Sequence, residues 1–338
     1  MHISIHGINI DISVDDESVG AVASELLSYF EVPASGAGDA SQLRFARIES
    51  LGDLPAIPAD VEVVATQPRG TREDDPYQGW TVYRCGGEIL VEFNDRARLT
   101  LSADRRRVDG FLVHPASPEL DIRYNLIHFA LVELLKYQDT YSIHASALER
   151  NGRGILIPGH SGQGKTTTCI ALLRSGYRCL ADDHPLLRRE AEGLRLLSFP
   201  EKTDVTEQTI SFFPELRDSE GLLEPGLYKR SFDASSLYPH ARVESAAPGI
   251  IVFPRVVPWR NSHVEPLSKS RALEQLLPQG FRVLDRDVAR RHFEILVDLV
   301  RQSECYTLYS GEDLLDLAGL IDPLIDTPRT EPMAVSAR

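Results

Sequence analysis

The chain has 338 residues, with 36 Lys and Arg against 50 Asp and Glu, and a formal net charge of −14. That balance argues against a sequence-independent grip on nucleic acid, which needs Lys and Arg to neutralise phosphates, and no apolar stretch approaches the ~20 residues that cross a bilayer. The length suits one large α/β domain and a smaller one, each with its own core.

Residues 1–118 are dominated by short alternating runs such as ISIHGINIDI, GEILVEFN and ARLTLSA, which predict a β-rich accessory domain. One early helix is expected around Val19 to Tyr29, and the Pro-rich, polar stretch from Leu54 to Gly79 reads as a long loop. The basic run Arg105, Arg106 and Arg107 reads as a polar hairpin turn. A helix in ELDIRYNLIHFALVELLKYQ opens a second region, 119–325, and its face of Ile122, Leu126, Phe129, Ala130 and Leu134 is expected to pack on that region's core. His128 reads as core or rim. Cys85, Cys169, Cys179 and Cys305 have no metal-ligand spacing, and the opening MHISIHGINIDISVDDES carries no basic-then-apolar leader, so a reduced, cytoplasmic protein is expected.

The most specific stretch is GILIPGHSGQGKTTTCIALL. Ile155 to Ile157 read as a buried strand and Thr167 to Arg174 as a helix, and between them Gly159, His160, Ser161, Gly162, Gln163, Gly164, Lys165 and Thr166 spell a P-loop. Such a loop turns its backbone N–H groups inward at the positive end of the helix, so Gly159, Ser161, Gly162, Gln163, Gly164, Lys165, Thr166 and Thr167 are assigned to a nucleotide's phosphates, Lys165 to the β- and γ-phosphates, and the Thr166 hydroxyl to Mg²⁺. Lys165 is read as an exposed loop residue with little packing to lose.

SGYRCLADDH follows the helix. Tyr177 to Leu180 read as a short strand with Asp182 and Asp183 at its carboxyl end, where open α/β sheets bind ligands. One carboxylate can hold Mg²⁺ and the other can take the proton of an attacking hydroxyl. Upstream, Tyr141 to Leu148 alternate like a strand, and the turn ERNGRG brings His144 one hairpin from the loop. Taken alone, a His in a strand is more often a core residue.

IHAS at His144, GHSGQGKT at Gly159 and RCLADD ending at Asp183 together resemble the kinase domain of the HPr kinase/phosphorylase superfamily. The resemblance runs from Tyr141 to Leu187 and, more loosely, to Asp322. It implies a P-loop kinase core of HPr-kinase/phosphoenolpyruvate-carboxykinase type, a smaller β-rich N-terminal domain, and transfer of the γ-phosphoryl group of ATP, with Mg²⁺, to a serine hydroxyl. By motif it gives Asp182 the base role, Asp183 with Thr166 the metal, and His144 an active-site role. Adjacent residues on a strand point to opposite faces, so the two Asp roles are exchangeable. Assembly from several subunits is also implied.

The bifunctional HPr enzymes carry EIRG followed by GI after the double Asp, where this chain has LLEPGLYKRSFD. That departure points away from HPr as acceptor and from reverse phosphorolysis, and toward the relatives that tailor ribosomally made peptides, lasso-peptide precursors among them. A peptide or protein hydroxyl is the expected acceptor, held by the stretch Lys202 to Tyr238 through Phe212, Phe213, Tyr228, Lys229 and Arg230, with Arg255 at the mouth of the site. The competing class is a non-kinase NTP-binding switch or partner-dependent ATPase, with water as the nucleophile. Residues 326–338 read as a disordered tail.

Overall fold

The computed structural model describes residues 1–33, 40–67, 79–93, 96–113, 120–218, 229–238 and 241–326. The tail expected after Asp326 and the side chains of Ile122 and Lys229 lie outside the described parts, as does Tyr228. The chain is mixed α/β with several sheets, and it divides into two compact units. One comprises Met1–Tyr141 with Phe281–Phe293, and the other Ser142–Gly280 with Glu294–Arg338.

The first unit is built on one eight-stranded sheet. Its strands are β1 (His2–Ile5), β2 (Ile8–Val14), β3 (Ser41–Ile48), β4 (Glu62–Gln67), β5 (Trp80–Cys85), β6 (Glu88–Phe93), β7 (Ala97–Leu101) and β8 (Arg107–Val113), in the order β1-β2-β3-β8-β7-β6-β5-β4. Alternation is the reason these segments pair: Ile3, Ile5, Ile10, Leu43, Val82, Val91, Leu99 and Val108 are buried, and the residues between them are more open. Helix α1 (Glu17–Leu27) starts at Asp16, whose carboxylate accepts the Val19 N–H, and it buries Val19, Val22, Ala23, Leu26 and Leu27.

Two expectations are corrected here. The stretch Leu54 to Gly79 contains an edge strand, β4, paired antiparallel with β5. Its outward positions are exposed, so it carries no hydrophobic alternation for a sequence reading to find. The helix α2 (Leu120–Lys136), expected on the core of the second region, packs instead against α1, β3 and β8 of the first unit. His128 on it is buried, as expected. Arg105 and Arg106 lie in the turn between β7 and β8, with Arg105 at φ +61°, and Arg107 opens β8.

In the second unit, the strands that matter for the site are β10 (Ala145–Arg150), β11 (Arg153–Pro158), β12 (Arg178–Ala181), β13 (Leu186–Glu190), β14 (Gly193–Leu197), β17 (Ser245–Val256), β18 (His263–Pro266) and β19 (Glu304–Ser310). The short β9 (Thr140–Ser142) precedes them, and β15 (Thr203–Thr206) pairs separately with β16 (Lys229–Phe232). Strand β10 is antiparallel to both β11 and β12, while β11, β17 and β19 run parallel to one another, so β12, β11, β17 and β19 all end at the same edge of the sheet. Helix α3 (Lys165–Arg174) follows β11. Its Cys169, Ile170 and Leu173 join Ile155, Ile157, Ile250, Val252 and Leu308 in one buried cluster. Helix α4 (Glu207–Phe212), the four-residue α5 (Ala234–Leu237), α6 (Lys269–Leu276), α7 (Arg286–Gln302) and α8 (Leu317–Asp326) complete the helices described, and α8 adds Leu317, Ile321 and Ile325 to that cluster. Among the described residues no helix is long and apolar enough to cross a membrane.

Candidate active site

The apolar strand β11 ends at Pro158, and the chain then turns through Gly159–Gly164 into α3. The turn depends on backbone conformations that L side chains avoid: Gly162 has φ +81° and Gly164 φ +93°. It also depends on space, because a Cβ on Gly159 would lie 2.7 Å from Gln163 Oε1. Gln163 braces the loop from within, its Oε1 accepting the His160 N–H at 2.8 Å. Ser161 and Gly162 are exposed, and Thr166 is half-buried in the first turn of α3. Thr167 has its Oγ1 3.3 Å from Thr209 Oγ1 on α4, so its hydroxyl is engaged there.

Lys165 is not the exposed loop residue that the sequence suggests. It is 7 % exposed, and its Nζ lies 3.1 Å from His144 Nε2 and 3.8 Å from Asp183 Oδ1. His144 sits at a break between β9 and β10, not within one continuous strand. Its backbone N–H donates to Gln279 O and that of Ala145 to Asp183 O, which fixes the break against the Asp turn. The ring Nε2 is 2.9 Å from Asp183 Oδ1. It serves one partner at a time: protonated, Nε2 donates to Asp183, and unprotonated, it accepts from Lys165.

Asp182 and Asp183 stand just beyond the carboxyl end of β12 in different surroundings. Asp183 is partly open to solvent, and burial of its carboxyl is outweighed by the charges and hydrogen bonds of His184, His144 and Lys165, which hold it below the ordinary carboxylate range. Asp182 is 7 % exposed and accepts a hydrogen bond from Ser146 Oγ at 3.2 Å. Burial first, and then the charges of Asp183 and Glu201, push its carboxyl up to about 8.

Glu201, Ser146 and His184 carry no signal in the sequence that marks them as functional residues. Glu201 Oε1 accepts the backbone N–H groups of Asp183 at 2.9 Å and His184 at 3.1 Å, and its Oε2 lies 3.4 Å from His184 Nδ1. That contact and the Asp183 charge keep the His184 imidazole protonated to higher pH than usual, against burial, which favours the neutral ring. Nothing local marks Glu201, since the turn it holds lies two strands earlier in the chain. A cavity of about 350 Å³ opens beside Asp182 and Glu201, with Thr203, Ala234, Arg242 and Glu244 also on its walls.

The described residues assigned to the acceptor differ in their surroundings. Phe213 is fully buried in the α3 cluster, whereas Phe212 is 38 % exposed. Arg230 pairs with Glu207 of α4 at 2.9 Å, and Arg255 is exposed at the end of β17.

No family model matches the chain. Over 66 residues it is 39 % identical to an HPr kinase/phosphorylase of Geobacillus sp. (strain WCH70), covering 20 % of this chain and 21 % of that protein. HPr kinase/phosphorylases of Bacillus cereus (strain B4264) and Bacillus anthracis (strain A0248) are 36 % identical over 66 residues, with the same coverage of 20 % and 21 %. The chain thus matches about a fifth of the length of these curated relatives. A solved structure, the Hpr(Ser) kinase/phosphatase from Coxiella burnetii, aligns with a TM-score of 0.28 and 15 % identity over 54 % of this chain and 93 % of that one.

Proposed function

We propose that this HPr-kinase-like chain is an ATP- and Mg²⁺-dependent phosphotransferase that moves the γ-phosphoryl group to a hydroxyl of a peptide or protein, serine first. The observation that carries the reading is the meeting of Lys165 Nζ, His144 Nε2 and Asp183 Oδ1, at 2.9–3.8 Å, beside a glycine-rich turn that opens a helix. In this reading the unit of Ser142–Gly280 with Glu294–Arg338 is a P-loop catalytic domain of HPr-kinase/phosphoenolpyruvate-carboxykinase type, the unit that takes α2 is an accessory domain, and the protein works in the cytoplasm.

The loop N–H groups from Gly159 to Thr166 and the positive end of α3 face the phosphates. Lys165 neutralises charge on the transferring oxygens, where a preorganised ammonium acts most strongly. We assign Asp183 to the acceptor hydroxyl, exchanging the two roles expected from sequence. Its carboxylate is kept ionised and is oriented by His144 and the Glu201-held turn, and a loose transition state asks mainly for positioning. With its proton on Nε2, His144 donates to the Asp183 carboxylate and leaves the Lys165 ammonium to the phosphates.

Among the described residues no group of three His, Cys, Asp or Glu side chains is gathered to hold a metal. Mg²⁺ does not require one, since it is usually bound by one or two protein groups together with phosphates and water. Thr166 and Asp182, whose carboxyl is buried and faces the charges of Asp183 and Glu201, are the residues that would hold it. Bound there, the ion would supply positive charge against the charge that develops on the phosphates. The cavity beside Asp182 adjoins Thr203 and Ala234 of the Lys202–Tyr238 stretch, which supports that stretch as the acceptor's side of the site.

The test is incubation with γ-labelled ATP, Mg²⁺ and serine-containing peptides. Label on a serine hydroxyl is expected. Label appearing only as free phosphate, with every acceptor tried, would favour the partner-dependent ATPase, and efficient labelling of free serine or a sugar would overturn the peptide acceptor.

A further inference from the structure

Three rings beside the loop take no part in the proposed transfer. Tyr309 and His263 face each other across β19 and β18, with ring centroids 4.7 Å apart and planes within 10°. Trp259 stacks on His263, 5.3 Å away at 21°, and is tilted against Tyr309, 5.7 Å away at 31°. The turn carrying Trp259 is fixed: Ser262 N–H donates to Asp313 Oδ1 at 2.8 Å, Gly311 N–H to Ser262 Oγ at 2.9 Å, and Glu312 N–H to Trp259 O at 3.1 Å. Yet Trp259 itself is 48 % exposed. A large ring held in a stack, on a braced turn, with about half its surface in water, is a ready platform for another flat ring.

Its place in the sheet says which ring. The edge at which β12, β11, β17 and β19 end carries Asp183 after β12, the glycine-rich turn after β11, and the aromatic stack beyond β17 and β19. In sheet order the double Asp and the rings therefore lie on opposite sides of the turn. If the γ-phosphoryl end of a nucleotide is directed toward Asp183, its base is directed toward the rings. Neighbouring strands are ~4.8 Å apart, so β19 lies roughly 10 Å from β11, comparable with the distance from a nucleotide's terminal phosphates to its base. The two ends are joined by contact: a Cβ on Gly164 would lie 3.2 Å from Val256 Cγ2, three residues before Trp259. Arg255, paired with Tyr309 across β17 and β19, stands between turn and rings in that order and is exposed.

We propose that Trp259, backed by His263 and Tyr309, stacks on the heterocyclic base of the nucleotide whose phosphates occupy the Gly159–Thr166 turn. The assignment rests on the nucleotide-binding part of the proposed function. The test compares a non-hydrolysable ATP analogue with inorganic tripolyphosphate, which has the phosphates and no base, by calorimetry on the full chain. Trp259→Ala is expected to weaken the ATP analogue ~5- to 150-fold, the range that one base–aromatic stack supplies, and to leave tripolyphosphate unchanged. Trp259→Phe should restore most of the affinity. Because the chain has 2 Trp, a Trp80→Phe background isolates the emission of Trp259, which the ATP analogue should quench and tripolyphosphate should not. Equal affinity of wild type and Trp259→Ala for the analogue, with unquenched emission and intact tripolyphosphate binding, would overturn the platform alone. Failure of both ligands to bind the wild type would overturn the nucleotide site with it.

Discussion

Asp182 gives the sharpest physical prediction. Its carboxyl is lifted to about 8 from an ordinary 3.8, by burial first and by Asp183 and Glu201 after it. The folded chain therefore keeps a proton that the unfolded chain has released between about pH 4 and pH 8, so the stability contributed here is complete below that window and is lost as pH rises through it. Each pH unit across the window is worth ~1.4 kcal/mol, which makes the loss on the order of 5 kcal/mol by its upper end. Asp182→Asn replaces the acid with an amide that stays neutral and still offers Oδ1 to Ser146. Urea titrations of both proteins in chelator should give a difference in unfolding free energy, variant minus wild type, that climbs by ~1.4 kcal/mol per pH unit between about pH 5 and pH 7 and levels off above about pH 8. Other titrating groups cancel in that difference to the extent that they are shared. A difference that stays flat would mean that Asp182 ionises normally in the folded chain, and the electrostatic account of the double Asp would fail.

Lys165→Ala should keep the fold, judged by circular dichroism, while kcat/KM for phosphoryl transfer drops ~10²–10³-fold, the range for removing a preorganised charge from the transition state. Glu201→Ala leaves the Asp183 and His184 N–H groups without their acceptor, at ~1–3 kcal/mol for each donor left buried; Glu201→Gln, which keeps an acceptor, should recover most of that in the same urea titration. Gly110→Ala in β8 would bring a Cβ to 2.5 Å from the Phe45 ring, and a loss of ~1–3 kcal/mol is expected from overpacking, relieved when Phe45 is also shortened to Leu.

The parts of the site legible in the sequence are those whose chemistry is local. A phosphate-binding turn announces itself because the positive φ at Gly162 and Gly164 requires glycine within a few residues of a strand end and a helix start. The double Asp is legible for the same reason, as it closes a short strand immediately after α3. The rest depends on long-range pairing. Strand β17 comes about ninety residues after β11 yet lies directly beside it, so no spacing in the chain announces that Val256 approaches Gly164 or that the Trp259 turn ends the same edge. Glu201 escapes a sequence reading because its role is set by the backbone N–H groups it meets, not by its neighbours in sequence. Phe213 misleads because an aromatic residue in a polar stretch looks like a surface anchor, and only the α3 cluster reveals it as core. In the same way α2 has a wide apolar face that fits either unit, and the sheet of the first one takes it.

The central claim, that Asp183 beside Lys165 and His144 directs phosphoryl transfer to a hydroxyl, is tested most directly by single-turnover transfer from γ-labelled ATP to a serine peptide that the wild type phosphorylates. Asp183→Asn should slow the appearance of phosphoserine ~10²–10⁴-fold, the contribution of a positioned base, with nucleotide affinity nearly unchanged. Transfer by Asp183→Asn at the wild-type rate, with nucleotide bound as tightly, would contradict the account.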